Sequence, residues 1–116
     1  SDASSWQKSQ EAIKRFAGVA RQLDAALIVF NIPELRELKP YPFAEVTAKV
    51  RAVVEGEGVT FVDLLPSVEN LEPSSLWVTV PDPHPNGMAN TAFARRMTEE
   101  ILPLVDQVCS KQAQGC

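Results

Sequence analysis

Apolar positions along the chain alternate between helical spacing and short continuous runs. Trp6, Ile13, Phe16, Ala17, Ala20 and Leu23 recur at a helical period, with Arg and Lys between them. Ser4-Ser5-Trp6-Gln7 has the form of a capping box. A helix is predicted from about 5 to 23, one face packed and one solvated. Residues 25–30 then form a continuous apolar run, β-branched at its centre, that continues through Asn31 and is closed by Pro33. That pattern suits a strand buried on both faces, as in a parallel sheet. Phe43, Val46, Val50, Val53 and Val54 return to helical spacing, and Gly56 and Gly58 end that helix. Residues 59–65 read as a second strand, closed by Pro66. Met88, Ala92, Phe93, Met97, Ile101, Leu104 and Val108 mark a last helix from about 87. Pro103 removes an N–H inside it, so a kink or break is expected near 99–103. Residues 110–116 are expected to fray.

The predicted class is α/β, in the order αβαβα, with parallel strands. Between these elements, 34–42 and 67–75 read as loops and 76–80 as a short extended piece. Tyr41, between Pro40 and Pro42, reads as a surface aromatic, with a place lining a cleft as the alternative. Asn31 and Asp63 fall at the carboxyl ends of the two strands, where open α/β sheets place ligands. Turn and capping roles suit both residues as well. A strand as apolar as 25–31 needs a neighbour on each side, and 59–65 is the one clear companion. The other neighbour is expected from a second polypeptide, since an open apolar edge is a template for pairing.

Composition narrows the classes. At 116 residues the chain makes one domain or part of one. Net charge is −4 and the basic residues are scattered, which argues against nucleic acid as partner. The longest apolar run, 25–30, is too short for a membrane span. The chain opens on Ser1 without methionine or signal peptide, so a processed, tagged or truncated product is expected. Cys109 and Cys116 stand seven apart, about 10 Å along a continuous helix. A disulfide does not span that distance, so two free thiols are expected unless the tail leaves the helix.

The chemistry concentrates in residues 77–90. They hold His84, the one histidine of the chain, within an alternation of Pro81, Pro83 and Pro85. Each proline fixes its own φ and pushes the residue before it toward extended geometry. Side chains two apart on an extended segment point the same way, so Asp82 and His84 are expected to share a face. A carboxylate beside an imidazole fixes its tautomer and stabilises the imidazolium, as a general base requires. Should the two face apart, Asp63 and Glu72 are the remaining acids for the role. Asn86 reads as the cap of the last helix.

This run, Asp82-Pro83-His84-Pro85-Asn86 before a helix, resembles the last block of the SGNH (GDSL-like) hydrolases. The common family spacing is Asp-x-x-His, one residue longer than here. The αβαβα order and the Asp63-Leu64 pair ending a strand are compatible with the resemblance. It implies a flavodoxin-like three-layer fold with about five parallel strands, of which this chain is the C-terminal portion. It also implies that His84 takes the proton from a serine hydroxyl and passes it to the leaving alcohol, while Asp82 holds the imidazole. The implied substrate is an ester: a lipid, an O-acylated sugar or a small acyl ester.

The family's Gly-Asp-Ser nucleophile block and its oxyanion-hole Gly and Asn are not in this sequence. None of the eight serines is flanked by the glycines of a strained nucleophile turn. The missing parts are expected on an N-terminal portion, which with a second copy of the chain is the candidate neighbour for strand 25–31. No cofactor is implied. A competing reading is a non-catalytic binding module that retains the loop, with His84 a structural histidine. A metal site on Asp82 and His84 is disfavoured, because zinc takes three or four protein ligands and no HExxH or paired CxxC motif is present.

Overall fold

The structure, a computed structural model, describes residues 2–112. The chain is mixed α/β. Strand β1 (Ile28–Asn31) pairs with β2 (Thr60–Asp63) in a two-stranded parallel sheet. Two compact units are distinguished, and the division between them falls inside both strands. Among the described residues, one comprises 2–29 with Ala44–Val62; the other comprises Phe30–Phe43 and 63–112.

In the first unit, helix α1 (Asp2–Gln22) packs on α2 (Ala44–Gly56). Ser4 to Gln7 lie inside α1, so they do not form the expected capping box. Both helices end alike. Asp24 adopts φ 49°, and the bonds Asp24 N–H to Arg21 O and Ala25 N–H to Ala20 O close α1. Gly58 at φ 74° does the same for α2, through Glu55 O and Val54 O. These are paired C-terminal bonds of the Schellman type. The glycine announced the second stop. The first used an aspartate, one of the few residues that tolerates the left-handed region. Its Ala25 belongs to the helix end, so β1 begins at Ile28 and not at 25. Ala17, Val54, Phe61 and Val62 are buried, and the Arg51 guanidinium stacks 4.8 Å from the Phe61 ring centre. Strand β1 is half-buried along its length, against the expectation of burial on both faces, and β2 is its one neighbour among the described residues.

In the second unit, the core is Leu35, Leu38, Leu64, Val68, Leu76, Ala89 and Phe93. Two 3-10 turns, Leu65–Ser67 and Pro73–Leu76, each begin at or beside a proline. They lead to a ribbon whose first strand lies within the expected extended piece 76–80 and whose second strand the patterning did not announce. Strand β3 (Trp77–Thr79) pairs antiparallel with β4 (Asp82–Pro85), with Thr79 opposite Asp82, Trp77 opposite Pro85 and an irregularity between. Prolines at alternate positions argue against a strand, and the segment is accommodated because a two-stranded ribbon has only edges.

Helix α3 (Gly87–Lys111) runs uninterrupted through Pro103, so the expected break does not occur. It also includes Ser110 and Lys111, whereas fraying was expected from 110. The Ser110 hydroxyl donates to Asp106 O at 2.8 Å. Cys109 is disulfide-bonded, which corrects the expectation of a free thiol; Cys116 lies outside the described residues. No described helix is long and apolar enough to cross a membrane.

Candidate functional site

The candidate site lies on β4, in the second unit. Asp82 and His84 sit between prolines, two apart on an extended strand, and project to the same side. Asp82 Oδ1 lies 2.5 Å from His84 Nδ1 and accepts the His84 backbone N–H at 3.1 Å. One carboxylate oxygen therefore holds both the ring and the backbone that carries it. With Nδ1 occupied, Nε2 is the nitrogen presented outward for proton exchange. The His84 side chain is 82% exposed and that of Asp82 46%. The bond from the His84 ring, then the bond from its backbone N–H, holds the Asp82 carboxyl below its usual value.

Asn86 caps α3 as the sequence suggested. Its Oδ1 accepts the Ala89 N–H at 3.1 Å. Its amide nitrogen does more than the pattern foretold. It donates to Ser75 O at 2.8 Å and to Trp77 O at 3.1 Å. The Asn86 backbone N–H adds a bond of 2.8 Å to Leu76 O. Trp77 is itself tied down, its indole N–H donating to Leu35 O at 2.9 Å.

Asn31 and Asp63 bond to each other and not to the Asp82–His84 pair. Asn31 Nδ2 donates to Asp63 Oδ1 at 3.1 Å, and the same oxygen accepts the Leu65 N–H at 3.1 Å. Leu64 N–H donates to Asn31 O at 3.0 Å. These bonds close the strand ends and start the following turn, which is the turn-making role. Tyr41, expected on the surface, is half-buried and meets Phe43 edge-on at 5.8 Å. Its hydroxyl accepts the Glu34 N–H at 2.9 Å. Burial pushes the phenol above its usual value, the Glu34 bond opposes this, and the charges of Asp63 and Glu34 add to the rise. Glu72 precedes the second 3-10 turn, and its carbonyl accepts from Ser75.

The serine hydroxyls with defined partners donate to backbone carbonyls: Ser9 to Ser5 O, Ser75 to Glu72 O and Ser110 to Asp106 O. Among the described residues, no serine hydroxyl bonds to His84. A cleft of about 490 Å³ in this unit is lined by residues 36–39 and 69–73, and includes neither Asp82 nor His84. Among the described residues, no three His, Cys, Asp or Glu side chains are grouped as metal ligands would be. The chain matches no protein-family model, no curated protein and no solved structure.

Proposed function

We propose that the chain carries the acid–base half of a serine ester hydrolase of the SGNH (GDSL-like) type. His84 is the general base and Asp82 its orienting acid. One observation carries the reading: a carboxylate oxygen 2.5 Å from His84 Nδ1, with the imidazole exposed on a proline-stiffened strand. That arrangement suits proton transfer through Nε2 to and from a serine hydroxyl. The nucleophile, the oxyanion hole and the remaining strands of a flavodoxin-like sheet are assigned to an N-terminal portion of the hydrolase. That portion, or a second copy of the chain, is the partner. The substrate class is an ester of a lipid, an acylated sugar or a small acyl group.

The test is to supply an N-terminal portion carrying a Gly-Asp-Ser block and assay a p-nitrophenyl ester. Turnover is expected, and His84→Ala should abolish it. Equal rates with and without the His84 imidazole would remove the hydrolase reading. A non-catalytic binding module is the second reading. It is favoured by the 82% exposure of His84 and the lack of a bonded serine among the described residues.

A further inference from the structure

The proline strand β4 poses a hydrogen-bonding problem. Pro81, Pro83 and Pro85 have no N–H to give. The His84 N–H is turned back onto Asp82 Oδ1 at 3.1 Å, so it is lost to the ladder as well. Of residues 81–86, only Asp82 and Asn86 retain a backbone donor for β3 and the turn before it. Asn86 spends its backbone N–H on Leu76 O. Strand β4 thus gives few donors of its own, and a two-stranded ribbon is marginal on its own.

We propose that the Asn86 side chain supplies at Trp77 O the ladder bond that Pro85 has no N–H to give, adds a bond to Ser75 O just before β3, and is thereby the positioning residue for His84. Its two amide hydrogens reach the carbonyls of Ser75 and Trp77, at 2.8 and 3.1 Å. Trp77 stands opposite Pro85, the residue between His84 and Asn86. The amide, two residues beyond the base, thus anchors the carboxyl end of β4. The same side chain starts α3 through Ala89 N–H. A residue serving only as cap needs one acceptor oxygen, and Asp or Ser supplies it as well as Asn does. Only an amide offers that acceptor together with two donors. The geometry therefore separates the two duties. The inference rests on the proposed hydrolase reading for its catalytic meaning, while its geometry is tested independently.

The experiment compares the 116-residue chain with its Asn86→Asp and Asn86→Ser variants. Both substitutions keep the cap acceptor. Asp places a carboxylate against two carbonyls, and the shorter Ser hydroxyl cannot span both. Circular dichroism reads the helix, and imidazole NMR reads the hydrogen-bonded Nδ1 proton of His84. Both variants are expected to retain helix content and to lose the Nδ1 proton signal, as is expected of Asp82→Ala. Either folded variant keeping that signal as in the unmodified chain would overturn the proposal. If Asn86→Asp does not fold, Asn86→Ser decides.

In the assembled hydrolase, Asn86→Ser is expected to lower kcat about 10- to 100-fold, the cost of misplacing a catalytic group by about 1 Å. KM should change little. An unchanged kcat there, with His84→Ala inactive, overturns the positioning role and leaves the hydrolase reading standing. An active His84→Ala, with the Nδ1 signal still dependent on Asn86, overturns the hydrolase reading and leaves the clamp standing.

Discussion

Asp82 holds His84 twice with one oxygen, Oδ1 lying 2.5 Å from the ring Nδ1 and 3.1 Å from the backbone N. Both bonds favour the ionised carboxylate, so its pKa is lowered in the folded chain. The sign for stability follows. A carboxyl whose folded pKa lies below its unfolded value contributes stability above the ordinary carboxylate range, and this is lost as pH falls through the lowered value. The pair is solvent-exposed and screened, so the effect on global unfolding is small. The sensitive measurement is the carboxyl-carbon NMR titration of Asp82. Its midpoint is expected below that of an ordinary Asp. In His84→Ala it should move partway back, since the ring bond goes and the backbone bond stays. Identical midpoints in the two proteins would mean that the ring contact does not exist in solution.

Asp63 joins Asn31 Nδ2 and Leu65 N–H at one half-buried oxygen, which assigns it to the fold. Asp63→Ala leaves both donors without that acceptor, at a cost of about 1–3 kcal/mol. Asp63→Asn keeps an acceptor oxygen and is expected to cost less. Neither change should alter the Nδ1 proton signal of His84. Denaturant titration and imidazole NMR on the same samples check this. Loss of that signal in stable Asp63→Asn would reopen Asp63 as the acid partner.

What patterning located correctly was decided by local chemistry. The helical spacing of apolar residues, the Gly58 stop and the Asn86 cap each rest on one segment. The shared face of Asp82 and His84 was legible because alternate side chains of an extended segment point one way, although holding the pair there draws on Asn86. What patterning missed depends on partners far along the chain, or on a rule followed too strictly. Strand β4 was unreadable because proline density is a signal against strands, and only β3 beside it makes the segment one. The amide bonds of Asn86 to Ser75 and Trp77 span 11 and 9 residues, and no spacing rule reaches them. A usable signal was nonetheless present: three prolines remove three donors, and the nearest side chain with two donors is Asn86. Asp24 at the end of α1 was missed because Asp is a less frequent left-handed stop than Gly.

The chain alone is expected to be inert toward esters. A base and its orienting acid supply general-base assistance, without a nucleophile or donors for the oxyanion. Three of the serines already donate to carbonyls of their own segments. A p-nitrophenyl ester assay should give the same rate for the chain and for His84→Ala. Clear turnover above that control would identify one of the eight serines as a nucleophile.

On the proposed reading, another polypeptide covers apolar surface that the first unit leaves exposed. Phe16, Val19 and Leu23 are 65%, 52% and 72% exposed. Their spacing of three and four residues places them along one face of α1 and its end. An apolar cleft of about 240 Å³ lies in the same unit, lined by Ile13, Phe16, Leu27, Val29 and Val54 among others. Leu27 precedes β1 and Val29 belongs to it, and β1 has β2 as its one neighbour among the described residues. Large exposed apolar surface beside an open strand edge is the signature of a contact site. Sedimentation is expected to show concentration-dependent association of the chain. Phe16→Glu combined with Leu23→Glu should shift it toward monomer while helix content persists, because both side chains are exposed in the single chain. Adding the N-terminal portion of the hydrolase is expected to compete with self-association, as both would cover the same face. A chain that stays a 12.7 kDa monomer at every concentration and binds no N-terminal portion would remove the partner from the proposal.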